Sequence, residues 1–143
     1  MTVKAILEQK GHNVFSISPD EKLSEAVRML TEHRVGALVV TNNDRIIAGI
    51  ISERDVVRVL GKEGAAALDH PVRSAMTAKV RSCNEHHTVH EVMEIMTLGR
   101  FRHLPVEKDG HLDGIVSIGD VVKRRIEDVE READQIRAYI ATA

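Results

Sequence analysis

Aromatic side chains are nearly missing from this chain: two phenylalanines, one tyrosine and no tryptophan among 143 residues. A protein so poor in rings has no platform on which successive bases of a single-stranded nucleic acid could stack. A basic field is missing too. Twenty Lys and Arg stand against 22 Asp and Glu, a formal charge of −2, so nothing draws a phosphate polymer. Cys83 is the only cysteine, which excludes an intrachain disulfide and a cysteine-rich zinc site. No run approaches the roughly 20 apolar residues of a membrane-spanning helix. The opening MTVKAILEQKGH lacks the apolar stretch of a secretion signal. These absences predict a cytoplasmic protein with neither nucleic acid nor membrane as partner. What remains is aliphatic: 43% of the residues are hydrophobic, enough for a core of branched side chains.

The aliphatic residues fall into a repeat. GIISERDVV, from Gly49 to Val57, returns as GIVSIGDVV, from Gly114 to Val122. Gly49, Ser52 and Asp55 recur as Gly114, Ser117 and Asp120 after 65 positions. Each copy reads as an apolar strand turning into a helix, with the serine at the N-cap and the aspartate in the first turn. Two such capping boxes could serve folding alone. The spacing reaches further, however. Leu23, Ala26, Val27 and Leu30 form one helical face, and Val89, Val92, Met93 and Met96 repeat it 66 positions on. Ser18 and Asn84 take the predicted N-cap places, with Pro19 and Glu21 beside the first, and Gly36 is placed to end the first helix. Strands follow at Ala37–Val40 and Ile46–Ile51, with Leu104 and Val106 on the places of Leu38 and Val40. A constant offset through helices, turns and strands predicts a duplicated β-α-β-β-α unit.

Three pieces lie outside the duplication. Val3, Ile6 and Leu7 predict a short N-terminal helix ending near Lys10. Gly61–Ser74 reads as the connection, with a helical turn around Ala65–Leu68. From Val122 on, Val122, Ile126, Val129, Ala133, Ile136 and Ile140 alternate steps of four and three. Such a stripe either lies on the protein's own core or forms a dimer seam, and its steady 3.5-residue period favours the seam. The division is residues 1–13 as lead-in, 14–71 and 72–128 as the two modules, and 129–143 as a helical extension.

The ordered set resembles the CBS domain, named after cystathionine β-synthase, twice over. The resemblance rests on Ser16-Ile17-Ser18-Pro19, Gly36-Ala37-Leu38-Val39-Val40 and Gly49–Asp55. In the second half it rests on Arg102-His103-Leu104-Pro105-Val106 and Gly114–Asp120, with the lead-in phrase Val72–Thr77. It implies an α+β fold: a stand-alone tandem pair of modules related by a pseudo-two-fold axis, commonly dimerised. It also implies clefts for adenine nucleotides such as AMP, ADP, ATP or NAD. By position, Ser52 and Asp55 would hold a ribose in one cleft, and Ser117 and Asp120 in the other. Gly36, Ala37 and Leu38, with Arg102, His103, Leu104 and Pro105, would frame base or phosphate. Arg54, Arg102, Lys10 and His103 are the cations a phosphate could reach. Arg102 and His103 occur only in the second half, so Asp120 is expected to matter more than Asp55. The resemblance implies a regulatory module acting in trans on an unidentified protein, not an enzyme. The competing reading is a metal-responsive sensor at His86 and His90, whose spacing of four suits one helix face. Cys83 has no local signature of a nucleophile.

Overall fold

A computed structural model describes residues 1–142. The elements in chain order are α1 (Val3–Lys10), β1 (Ser16–Ile17), α2 (Leu23–His33), β2 (Ala37–Thr41), β3 (Ile47–Ser52) and α3 (Glu53–Glu63). They continue with α4 (Val89–Gly99), β4 (His103–Lys108), β5 (His111–Ser117) and α5 (Ile118–Thr142). Short 3₁₀ turns lie at Asn43–Arg45, Gly64–Asp69 and Val72–Ser74.

The order of elements in the first half is as expected. β1 runs parallel to β2 with Ile17 opposite Val40, and β2 pairs antiparallel with β3, Leu38 opposite Ile51. In the second half β4 and β5 form the same hairpin, Leu104 opposite Val116, closed by Asp109 and Gly110 at positive φ. The strand equivalent to β1 is reduced to one parallel bridge, Cys83 to Val106. Proline explains the loss. Val39 donates its backbone N–H to Phe15 O in the first half. Its counterpart is Pro105, which has no N–H, so pairing stops after one residue.

Helix starts differ from the sequence expectation in two places. α2 begins at Leu23, not after Ser18, and the Ser18 hydroxyl instead accepts from Asp20 N in a turn. The first N–H of the helix, on Leu23, is satisfied by His70 O, so no side-chain cap is needed. α4 is capped by Thr88 and Glu91 in a reciprocal capping box, while the Asn84 side chain only turns the chain before it. Nor does Gly36 end α2. Arg34 does so in the left-handed conformation at φ 54°, and Arg100 ends α4 the same way at φ 57°.

Two aliphatic cores result, and each is closed by a segment from outside its own repeat. Val72 and Ala75 of the connecting segment pack with Leu23, Leu38 and Ile51 in the first core. Val3, Ile6 and Leu7 of α1 pack with Val92, Leu104 and Val116 in the second. The backbone bonds match one for one. Val72 N donates to Glu21 O and Arg73 N to Pro19 O, while Val3 N donates to His87 O and Lys4 N to Glu85 O. α1 therefore stands to the second half as the connection stands to the first.

The repeated glycines are where these segments cross the sheets. A Cβ on Gly49 would lie 2.5 Å from Thr77 O, and one on Gly114 would lie 2.8 Å from Leu7 Cδ2. The stripe on α5 does not cover the core. Only Val121 and Arg124 of that helix are buried, and Ile126, Val129, Ile136 and Ile140 face solvent.

Candidate functional site: two unequal clefts

Ser52 and Asp55 sit where β3 becomes α3, and both capping boxes predicted from sequence are present. Ser52 N donates to Asp55 Oδ2 at 2.9 Å, and Asp55 N donates to Ser52 Oγ. Ser117 N donates to Asp120 Oδ2 at 2.9 Å, and Asp120 N donates to Ser117 Oγ at 3.1 Å. The surroundings of the two carboxylates then diverge.

Asp55 is buried, and it faces an open cleft of about 440 Å³. Its carboxylate accepts from Ser52 Oγ at 3.0 Å and from Arg58 Nη2 at 3.2 Å. From the first half the cleft takes Gly36, Ala37, Ile50, Ser52, Glu53 and Arg54, and from the segment just after the connection Thr77 and Val80. From the second half it takes Arg100, Phe101, Arg102, His103 and Ile118. Ala37, Ile50 and Val80 form an apolar wall. Arg54, Arg100 and Arg102 are exposed at the rim, and none has a carboxylate partner among the described residues. A Cβ on Gly36 would lie 3.3 Å from His103 Cε1, so the glycine lets the imidazole close against β2. Volume, apolar wall and a few convergent polar groups are what a small-ligand site requires.

His103 is half-buried. Burial and then the Lys10 charge pull its pKa below the ordinary histidine value, with Asp120 and Glu53 opposing. The shift favours the neutral imidazole, a hydrogen-bonding group, over the standing cation expected from sequence.

Asp120 faces no such space. Lys10, at the end of α1, places its Nζ 2.7 Å from Asp120 Oδ2 and 3.0 Å from Ile115 O. About 100 Å³ remains beside the pair, bounded by Ile6, Gln9, Lys123 and Arg124. In the first half Ile50, the counterpart of Ile115, is met by the backbone of Thr77 and not by a lysine. Burial pushes the Asp120 pKa up, but the Lys10 and Ser117 hydrogen bonds outweigh it and hold the carboxyl below its usual range.

The expected grouping of site residues changes accordingly. Gly36, Ala37, Ser52, Arg54, Asp55, Arg102 and His103 come together in one cleft. Arg102 and His103 line the Asp55 cleft and not, as the sequence suggested, a site of Asp120's own, because the entrance of β4 lies across the cleft from the start of α3. Lys10 is engaged by Asp120. Leu38 and Leu104 lie in the two cores, and Pro105 is buried in β4, so none of the three lines the cleft. Sequence reasoning missed Ile50, Glu53, Thr77, Val80, Ile118, Arg100 and Phe101. The only signal for the last two was their place just before Arg102.

The histidine pair does not hold. His86 lies in the turn before α4 and His90 on the helix, so the spacing of four does not put them on one face. His90 faces Glu94 at 3.1 Å and His86 faces Glu85 at 3.6 Å. No group of three or more metal-binding side chains is gathered among the described residues. Burial, with help from Glu107, pushes the Cys83 thiol up to about 12, so it stays protonated. None of the described helices is long and apolar enough to cross a membrane.

Comparison with known proteins agrees with this architecture. The CBS domain family matches residues 3–62 and 72–127. A mitochondrial CBS domain-containing protein of Arabidopsis thaliana, CBSX3, is 34% identical over 97% of this chain and 71% of its own length. The crystal structure of the CBS-domain protein ATU1752 from Agrobacterium tumefaciens superposes with a TM-score of 0.84. That match is at 48% identity, over 87% of this chain and 99% of that one. More distantly, a structure of CBSX2 in complex with AMP superposes with a TM-score of 0.70 at 24% identity, covering 80% of this chain and 88% of the other. With two modules matched, two cores of one design and two capped strand-to-helix turns, this chain belongs to the CBS domain family as a tandem pair.

Proposed function

We propose that the chain is a regulatory module that binds an adenosine ligand, with the Asp55 cleft as its primary site. The observation that carries this reading is a buried carboxylate facing, across an apolar slot, three arginines that have no carboxylate partner among the described residues. In this reading Asp55 accepts from the two vicinal ribose hydroxyls, a charge-assisted contact. Ala37, Ile50 and Val80 take the purine, and Arg54, Arg100 and Arg102 take phosphate. The AMP bound by a relative of the same fold supports the ligand class. The cationic rim favours AMP, ADP, ATP or the diphosphate of NAD over an uncharged adenosine derivative.

The Asp120 cleft, with Ser117, is the secondary site. Both carboxylates carry an ion pair, Asp55 with Arg58 and Asp120 with Lys10, but only about 100 Å³ lies beside Asp120 against about 440 Å³ before Asp55, so a ligand there binds more weakly. The chain works as a homodimer and signals through a partner protein rather than by catalysis.

Isothermal calorimetry with AMP against the whole chain tests the reading. Binding at micromolar to millimolar concentration, with adenosine at least tenfold weaker, is expected. Absence of heat with AMP, ATP and NAD alike, together with an unmoved thermal transition, overturns it.

A further inference from the structure

α5 is 25 residues long, yet its apolar stripe is left uncovered: Val122, Ile126, Val129, Ile136 and Ile140 are 44, 53, 47, 60 and 66% exposed. In heptad terms Ile126, Ala133 and Ile140 occupy a, and Val122, Val129 and Ile136 occupy d. The flanking positions then carry a pattern. Arg125 and Glu132 stand at g, and Glu130 and Arg137 stand at e.

Two copies of this helix could meet in either direction, and the charges distinguish them. In a parallel pair each g residue faces the e residue five positions on in the other helix. Arg125 then meets Glu130 of the second copy, and Glu132 meets Arg137 of the second copy. Both contacts are attractive, and each occurs twice by symmetry. In an antiparallel pair with the stripes aligned, Glu130 meets Glu130, Glu132 meets Glu132 and Lys123 meets Arg137. All three are repulsive. Among the described residues Arg137 is held only by Asp134 one turn earlier, 3.3 Å away and well exposed, so it can turn to a partner.

We infer that the exposed face of α5 is a parallel two-stranded seam with a second copy of this chain, Arg125–Glu130 and Glu132–Arg137 setting its direction. The inference rests on the homodimer of the proposed function, but not on nucleotide binding. The seam spans fewer than three heptads. It therefore continues a contact begun at the base of the helix, where Val122 is exposed.

The test is the full chain carrying Ile136→Cys, with mass measured by light scattering and cross-linking measured on non-reducing gels after mild oxidation. Cys83 is buried and does not compete. A parallel seam brings position 136 of both copies within disulfide reach. An antiparallel one sets position 136 against 126, about 15 Å of helix away from its twin. The expected result is a dimer that links nearly completely through Cys introduced at 136. Glu130→Lys with Glu132→Lys should raise the dimer dissociation constant at least tenfold, and adding Arg125→Glu with Arg137→Glu should restore it. A dimer that does not link at 136 overturns the seam and leaves the homodimer standing. A monomer mass at tens of micromolar overturns both.

Discussion

The two clefts start from the same motif and end with different chemistry. Both begin with Gly, Ser and Asp at equal spacing, and both aspartates close capping boxes with the same 2.9 Å bond to the serine N–H. What separates them is the segment that crosses the sheet beside each. At Ile50 the passing chain pairs backbone to backbone through Thr77 and leaves about 440 Å³ open in front of Asp55. At Ile115 it is the end of α1 that passes, and it brings Lys10, whose ammonium meets the Ile115 carbonyl and the Asp120 carboxylate together. The lesson is that a duplicated motif specifies the carboxylate's position, while neighbours from elsewhere in the chain decide how much space lies in front of it.

The largest way to break the comparison is to remove the element that makes it. Deleting residues 1–10 strips Val3, Ile6 and Leu7 from the second core, each 4% exposed or less. At about 1.5–3 kcal/mol per buried aliphatic side chain, the loss approaches a domain's whole stability. Hydrogen exchange should show the second half unprotected while Leu38 and Ile51 of the first stay protected. Uniform protection would mean that α1 is an accessory.

Gly49→Ala and Gly114→Ala separate the crossings more finely. The first puts a methyl against a backbone carbonyl, the second against a leucine side chain that can turn. Overpacking of this kind costs about 1–3 kcal/mol, and thermal melts should place Gly49→Ala at the upper end and Gly114→Ala at the lower. A reversed order would show that α1 is the stiffer of the two.

Lys10→Met removes the cation but keeps the stem. It should strengthen the weaker of two AMP-binding events in calorimetry by several-fold, because the ligand no longer has to displace an ion pair. Weakening instead would assign Lys10 to the ligand's phosphate.

The smallest effect expected is one of pH. His103 has a folded pKa below its unfolded value, so the unfolded chain takes up a proton first as pH falls from 7 through about 6.5. Stability should therefore drop across that window, and less so in His103→Gln. Asp120 acts lower down: its depressed pKa stabilises the fold above the unfolded carboxylate value and is lost only as pH falls through the folded one. Bound phosphate beside His103 should draw a proton onto it, so AMP should bind a few-fold tighter at pH 6 than at pH 8, with adenosine unchanged. Equal pH dependence for both ligands would remove His103 from the phosphate end.

Much of this was legible in the chain. Periodicity gave the helix faces that fill both cores, and the offsets of 65 and 66 residues gave the duplication. The serine and aspartate caps sit where the motif put them. Three things were not legible, each for a physical reason. The helix start at Leu23 is satisfied by a distant carbonyl, His70 O, so the local cap signal at Ser18 was misleading. The cleft partners cross between halves, so Arg102 and His103 read along the chain as neighbours of Asp120 while lining the cleft of Asp55. Arg34 and Arg100 end their helices at positive φ, where sequence rules look for glycine.

The central claim is that the Asp55 cleft, rather than the Asp120 cleft, is the tighter of the two proposed sites for an adenosine ligand. Calorimetric titration of AMP into Asp55→Asn and Asp120→Asn chains, side by side at pH 7 with the unaltered protein, tests it most directly. Asparagine keeps the shape of the cap but loses the charge that accepts two hydroxyls, worth about 1.5–3 kcal/mol or roughly ten- to a hundredfold in affinity. Asp55→Asn should lose that much of the tighter binding event, and Asp120→Asn should leave the event within about twofold. Loss of the tighter event in Asp120→Asn with Asp55→Asn unaffected would contradict the claim.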